Sequence, residues 1–353
     1  MFFIVLTALW LSRGFSARPE EETRDRAFRR EVYQRALNLR SGLTILSLSL
    51  EPGFEDLSAL SYLRFGRGAK IVSVYLTNGE SGDCGFRAAT PGEVGFMRRA
   101  EAFRVVSHLQ GTEHFLNFPD FGSARDTAVV RQQWHRDSLR AKLVELIESV
   151  RPDAILLAPD LRHEGWESPR WEVLRKTLVA AVNAAGETKT RGGFVRPRAW
   201  KAQRILAAVR EGPFVFPLQQ KPELLGNTYE EIGRTISESY ESLANERLLW
   251  LKGKTIAYEI DVGFKKGLKM PDPGLPAKPA RNLAWIESQV QELSSFVMKS
   301  AVKARGIEGL KGRIAKWIVS VMDSVDLRFS GWGSYPNDHR KILLHWKEGL
   351  EEL

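Results

Sequence analysis

Three acids fall within six residues at Glu51-Pro52-Gly53-Phe54-Glu55-Asp56, directly after the apolar run ILSLSL. Carboxylates at the end of a strand, on a Pro-Gly turn, suit two kinds of chemistry. They can hold a metal through oxygen, or they can take a proton as a general base. This cluster contains no histidine, and Phe54 stands in its middle. A second polar group, Asp160, His163, Glu164 and Glu167, follows the apolar stretch AILLAP. His163 and Glu167 are four apart, a spacing that would put two metal ligands on one helix face. Gly165 and the helix start at Ser168-Pro169 favour a loop there instead, and solvated loop acids are the competing reading. A third segment, Thr77-Asn78-Gly79-Glu80-Ser81-Gly82, can offer backbone N–H groups to an anion or a sugar hydroxyl. As a tight turn it needs no ligand.

The elements that must position these groups alternate regularly. GLTILSLSL, AKIVSVYLT, EHFLNFPD and DAILLAPD read as strands. Between and after them, DLSALSYLRFGRG, GEVGFMRRAEAFRVVSHLQG, RDSLRAKLVELIESVRP and SPRWEVLRKTLVAAVNAAG read as helices. Ser168 and Pro169 supply an N-cap and a first-turn proline for the last of these. Strands alternating with helices of this length imply βαβ units. The expected fold is α/β, a Rossmann-like three-layer α/β/α with a mostly parallel sheet. In such a sheet ligands bind beyond the carboxyl ends of the strands. Those ends are Glu51–Asp56, Thr77–Gly85, Phe118–Gly122 and Pro159–Ser168, all polar or glycine-rich.

Around this core the chain divides further. Residues 1–17, MFFIVLTALWLSRGFSA, are apolar and end in small residues, so they read as a signal peptide or anchor. That predicts export, as a periplasmic, extracellular or membrane-anchored protein, with the cytoplasm as the alternative. Residues 18–40 read as a charged amphipathic helix, and 41–269 as the α/β domain. Residues 270–280 carry four prolines and read as a linker. Residues 281–353 read as a helical extension, with Leu283, Ile286, Val290 and Leu293 on one face. The 353 residues carry 52 Lys+Arg against 43 Asp+Glu, a dispersed excess of +9. No zinc-knuckle, RNP or helix-turn-helix pattern accompanies it, so no nucleic-acid partner is expected. The single cysteine, Cys84, excludes an intramolecular disulfide and a cysteine-based zinc site.

The order of the motifs resembles the LmbE/PIG-L family of zinc-dependent sugar de-N-acetylases. SLEPGFED stands where that family has A-H-P-D-D-E. SVYLTNGESG stands at its T-[DN]-G-E loop, and RRAEAFRVVSHLQGTEHFLNFPDFG at its R-x-E helix and following strand. RPDAILLAPDLRHEGWESPRWEVLRKTLVAAV stands at the strand and helix around H-P-D-H-R. The resemblance spans residues 42–250, taking in GNTYEEIGRTISESYESL near its end. It implies a hydrolase of amide C–N bonds acting on N-acetylglucosamine units, with zinc held by two histidines and an aspartate. Carried over residue by residue, the first histidine falls on Glu51, the general base on Gly53 and the aspartate ligand on Phe54. The supporting histidine falls on Ser168 and the histidine ligand on Trp171.

Gly53 cannot accept a proton, and Phe54 and Trp171 offer zinc no lone pair. The resemblance therefore implies the fold while arguing against the family's reaction. The first expectation is a catalytically inactive relative without zinc that keeps a cleft for an amino-sugar glycan or glycoconjugate. Its binding candidates are Thr77, Asn78, Gly79, Glu80, Arg99, Glu101 and Asp120. Trp171 is expected to fill the former metal cavity. The second expectation is an active hydrolase with zinc moved to a site built from Glu51, His163 and Glu167. The third is an interaction protein that acts on a protein partner through its helical tail. Association with a membrane surface would come through the N-terminus.

Overall fold

The computed structural model describes residues 19–81, 90–124, 126–162, 168–187, 190–191, 194–195, 199–209, 211–222, 224–243, 256–262, 284–303, 308–329 and 337–353. The 1–17 segment, Cys84, the 270–280 linker, His163 and Glu167 lie outside the described residues. No described helix is long and apolar enough to cross a membrane.

The main sheet has seven strands. β1 (Thr44–Ser49), β2 (Lys70–Tyr75), β3 (Thr112–Phe115), β4 (Ala154–Leu157) and β7 (Arg204–Val209) run parallel, in the order β3-β2-β1-β4-β7. β9 (Ala257–Val262) then pairs antiparallel with β7, and β8 (Phe214–Val215) antiparallel with β9. β5 (Thr190–Arg191) and β6 (Phe194–Val195) form a separate short antiparallel pair. The sheet is therefore mostly parallel, with an antiparallel edge.

Alternating side chains explain the layers. Leu46, Leu48, Val72, Val74, Ile155 and Leu157 point to one face. There they meet Trp134 of α4 (Thr127–Trp134), Leu139 and Leu143 of α5 (Arg136–Val150), and Leu174 and Leu178 of α6 (Pro169–Gly186). Ile45, Ile71, Tyr75, Ala154 and Leu156 point to the other. They meet Leu57 and Leu60 of α2 (Leu57–Ser61), Ala102 and Val105 of α3 (Pro91–His108), and Ile236 of α7 (Tyr229–Ser237). A strand covered on both faces is buried at every position, and ILSLSL is so through its leucines on one face and Ile45 with the small, buried Ser47 and Ser49 on the other. α2 is only five residues long and continues as a π-helical turn over Tyr62–Gly66, where the sequence pattern suggested one helix.

A second compact unit holds α1 (Pro19–Ser41), α8 (Ala284–Lys303), α9 (Glu308–Phe329) and α10 (Asn337–Glu352). Its core contains Ala36, Leu39, Ile286, Val290, Leu293, Val297, Val321, Val325, Leu343 and Trp346. Ile286, Val290 and Leu293 share one buried face, as their spacing predicts. The Ser294 hydroxyl donates to the Ala36 carbonyl at 2.7 Å, tying α8 to α1.

The chain fills the sheet from β1 outward to β2 and β3, then crosses to β4 on the other side of β1. The β1/β4 junction is thus the point where the strand order reverses, and the crevice beyond it is the expected ligand position. Glu51 follows β1, and Asp160 follows β4.

Candidate functional site

Glu51 is fully buried, as are Arg98 and Arg170, while Arg162 is partly buried. Arg98 of α3 approaches its Oε2 at 3.2 Å, and Arg162 makes a short ion pair with the same oxygen. Arg170, in the first turn of α6, lies 3.9 Å from Oε1. Arg170 Nη2 donates to both carboxylate oxygens of Asp160 at 3.0 Å, and its Nη1 lies 3.6 Å from Asp120. Arg162 donates to Asp120 at 3.1 Å and to the Ser81 hydroxyl at 2.7 Å. Three carboxylates and three guanidiniums thus form one network of zero net formal charge. It joins the loops after β1, β2, β3 and β4.

Local structure explains why each member is there. Ser168 caps α6 by accepting from the Trp171 N–H at 3.1 Å, and its hydroxyl donates to Asp160. That cap fixes Arg170 one turn away, aimed at the network. Gly79 has φ +76, and a Cβ on it would lie 2.8 Å from Arg98 Nη1. Its carbonyl accepts from the same Nη1 at 2.7 Å. The Thr77–Glu80 loop is therefore a close backbone clamp on Arg98, and it needs glycine to be one.

Charges follow from these contacts. Burial pushes the Glu51 carboxyl above its ordinary 4.5, opposed by Arg162, Arg170 and Arg98. Burial would lower Arg162, but Glu51 and Asp120 outweigh it and hold its proton more firmly than usual. Burial likewise raises Asp120, and Arg162 with donors from Ser81 and Gly122 overcomes it, leaving Asp120 below its ordinary value. Arg162, paired directly with Glu51, is the largest influence opposing the rise at Glu51. A neutral Glu51 would leave three buried guanidiniums facing two carboxylates.

The other acids of the opening cluster serve the fold. Glu55 accepts from the hydroxyls of Tyr75 (2.6 Å) and Tyr240 and from the Gly53 N–H (2.8 Å). Asp56 caps α2 through the Ala59 N–H at 3.0 Å and accepts from the Tyr258 hydroxyl at 2.7 Å. Burial raises both carboxyls above their ordinary values. Burial, then the neighbouring carboxylate, pushes all three tyrosines well above theirs.

The positions that the resemblance assigns to zinc chemistry are filled by other groups. Phe54 and Trp171 are 1% and 2% exposed and belong to the same apolar core. Trp171 Nε1 donates to the Ala158 carbonyl at 2.8 Å, so its one polar atom is satisfied. Gly53 has φ +89, and a Cβ there would lie 2.2 Å from Leu243 Cδ1. Only Glu51 remains as an oxygen donor. A divalent cation on it would sit among three guanidiniums. Among the described residues, no three His, Cys, Asp or Glu side chains come together as a metal-binding group. These residues do not fit zinc.

The binding candidates separate into four places. Asn78, Glu80 and Arg99 line a groove of about 820 Å³ between α3 and the edge strand β3, with Phe96, Phe115 and Asn117. Arg99 stacks 4.7 Å over the Phe115 ring. Asp120 belongs to the ion network. Glu101 is buried, accepting from the Ser242 N–H at 2.8 Å and from the Ser242 hydroxyl at 2.6 Å. Thr77 donates to the Leu50 carbonyl at 3.1 Å and accepts from the Gly79 N–H.

Arg98, Arg162, Arg170, Asp160, Tyr75, Tyr240, Tyr258 and Leu243 carry contacts that the motif positions alone did not assign. Helical phase could have found Arg98. It shares a face with Val94, Glu101, Ala102 and Val105, all buried, whereas Arg99 points outward.

Residues 57–167 match the PIG-L family, described as GlcNAc-PI de-N-acetylase. The match begins directly after Asp56 and ends directly before Ser168, between the two zinc-motif positions. No curated protein matches the chain. Among solved structures, the chain is similar to a 4-carboxy-2-hydroxymuconate hydratase from Pseudomonas putida, at 13% identity and TM-score 0.47, over 65% of this chain and 99% of that one. It is also similar to the N,N'-diacetylchitobiose deacetylase of Pyrococcus horikoshii, at 15% identity and TM-score 0.41, over 59% and 73%. A conserved protein from Thermus thermophilus is 19% identical with TM-score 0.42, over 65% and 98%.

Proposed function

We propose that this PIG-L-type domain is not a deacetylase and instead binds an amino-sugar glycan or glycoconjugate without a metal. The observation that carries the first half is the buried network of Glu51, Asp120 and Asp160 with Arg98, Arg162 and Arg170. In a deacetylase, zinc would polarise the amide carbonyl and activate water. Here the nearest positive charges are guanidiniums already matched by carboxylates. The position of the general base has no side chain, and two of the three ligand positions, Phe54 and Trp171, are aromatic core.

The second half draws on the groove between α3 and β3. Its lining combines two aromatic rings, Phe96 and Phe115, with polar groups on Asn78, Glu80, Arg99 and Asn117. Apolar walls with a few convergent polar groups suit a sugar, whose ring faces are apolar and whose hydroxyls need partners. The apolar N-terminus supports action at or beyond a membrane surface. N-terminal sequencing of the exported chain tests that part, and an intact Met1 on a cytoplasmic chain would reject it.

The decisive experiment joins metal analysis, acetate release and calorimetric titration with an N-acetylglucosamine glycoconjugate. The expected result is zinc far below one equivalent, no acetate release, and saturable binding lost in Asn78→Ala and Arg99→Ala. Stoichiometric zinc with acetate release would overturn the non-catalytic reading. Silence in titration would overturn the glycan reading.

A further inference from the structure

The outward face of α3 carries the most exposed apolar side chains among the described residues. Phe96 is 75% exposed and Phe103 58%. They are seven residues apart, two turns of helix, so they line one stripe within about 20° of each other. Gly92 and Ser107 continue the stripe at its ends, and Ala100 lies near its centre, all exposed. An exposed aromatic patch with small residues between its rings marks a place where another helix can approach closely.

We propose that a second copy of this chain packs on this stripe, α3 against α3, antiparallel across a two-fold axis. Two features select a second copy over an unrelated partner. The first is self-complementarity. The midpoint between Phe96 and Phe103 falls between Arg99 and Ala100. A two-fold axis there sets Phe96 of each copy opposite Phe103 of the other and brings the two Ala100 methyls together. An isologous interface requires this matching of a patch with itself.

The second feature is charge. Glu93 and Arg104 project to the same flank of the stripe. Antiparallel pairing sets Glu93 of one copy alongside Arg104 of the other, within about 3 Å along the axis by helix geometry. Glu93 uses Oε2 to cap Thr90 and stays at the surface. Arg104 is half exposed, with its Nη1 3.5 Å from Glu241 and its Nη2 donating to the Ser239 carbonyl at 3.4 Å. The one charge near the axis that would repel its own copy, Arg99, is drawn aside by its stacking on Phe115. The four rings bring on the order of 500 Å² of aromatic surface. That is about half of what a specific interface needs, with the flanking residues supplying the rest.

The inference does not rest on the glycan reading. Its test is sedimentation velocity on the full chain at micromolar concentration, with Phe96→Glu and Phe103→Glu. Both sites are exposed, so the substitutions spare the fold, which circular dichroism checks. The expected result is a dimer whose dissociation constant rises at least tenfold in each variant. In a Cys84→Ser background, Ala100→Cys should be joined to its copy by a short bismaleimide. Lys142→Cys, exposed on α5, should not. A monomer at all concentrations overturns the proposal, as does a dimer indifferent to both substitutions or one in which Ala100→Cys fails to couple. A monomer that binds phospholipid vesicles through Phe96 and Phe103 also overturns it.

Discussion

Glu51→Gln is the sharpest probe of the network, because it keeps the shape of the side chain and removes one charge. Glu51 has no exposed surface and faces Arg98 at 3.2 Å, Arg162 in a short ion pair, and Arg170 at 3.9 Å. With Asp120 and Asp160 unchanged, the substitution leaves one positive charge uncompensated out of water. Removing one partner of a buried pair costs about 3–5 kcal/mol, against about 0–1 kcal/mol for a surface pair. The glutamine carbonyl still accepts one hydrogen bond, so the expected loss is near the lower end, about 3 kcal/mol. Urea unfolding followed by hydrogen exchange in β1 and β4 peptides isolates the sheet unit from the helical one. Glu51→Gln combined with Arg162→Met restores charge balance and should recover at least half of the loss. A chelator should leave the wild-type stability unchanged. A loss below about 1 kcal/mol, strict additivity in the double variant, or a chelator effect as large as the substitution would each refute the reasoning.

Four further outcomes are expected. Gly53→Asp restores an acid at the general-base position but forces φ +89 on a branched residue and drives its Cβ into Leu243. It should cost about 2 kcal/mol or more and yield no acetate release, with Leu243→Ala relieving only part of the cost. Trp171→His opens a void in the core beside Phe54 and should cost about 3 kcal/mol without raising zinc content. Glu55 has a folded-state pKa raised by burial above 4.5, so its contribution to stability is full below 4.5 and is lost as pH rises through the folded value. The urea midpoint of wild type should fall as pH rises above 4.5, and Glu55→Gln should flatten that slope. Arg99→Ala should abolish glycan binding while changing stability by less than about 1 kcal/mol, because Arg99 is exposed.

Much of the fold was legible because it rests on local period. ILSLSL and KIVSVY fit strands buried on both faces, and Ser168 announces its helix as an N-cap. The convergence of four loops followed from the rule for parallel sheets. The identity of the pocket did not follow. Arg98 and Arg99 are adjacent, and a motif match cannot tell them apart, whereas a 100° step sends one into the network and the other onto Phe115. Arg162 joins the loops after β2, β3 and β4 by contacts with Ser81 and Asp120, each more than forty residues away, which no spacing rule reports. Glu101 reads as a pocket acid from its motif, yet its hydrogen bonds go to Ser242, over a hundred residues away.

On the proposed non-catalytic reading, the network also constrains what could introduce deacetylase chemistry. An aspartate at 53 meets Leu243, a ligand at 54 leaves the core, and a histidine at 171 leaves the same core from the opposite loop. Even with all three in place, Arg98, Arg162 and Arg170 would stand where a cation must go, and zinc would compete against three fixed positive charges at contact range. Replacing those arginines first would strand Glu51, Asp120 and Asp160 as buried carboxylates without partners, a cost of several kcal/mol per charge. Each single step toward a deacetylase is therefore expected to destabilise the domain before it gains activity. On that reading, the positions that the resemblance assigns to zinc and the arginines act as one unit: the arginines hold the carboxylates, and Phe54 and Trp171 fill the space that ligands would occupy.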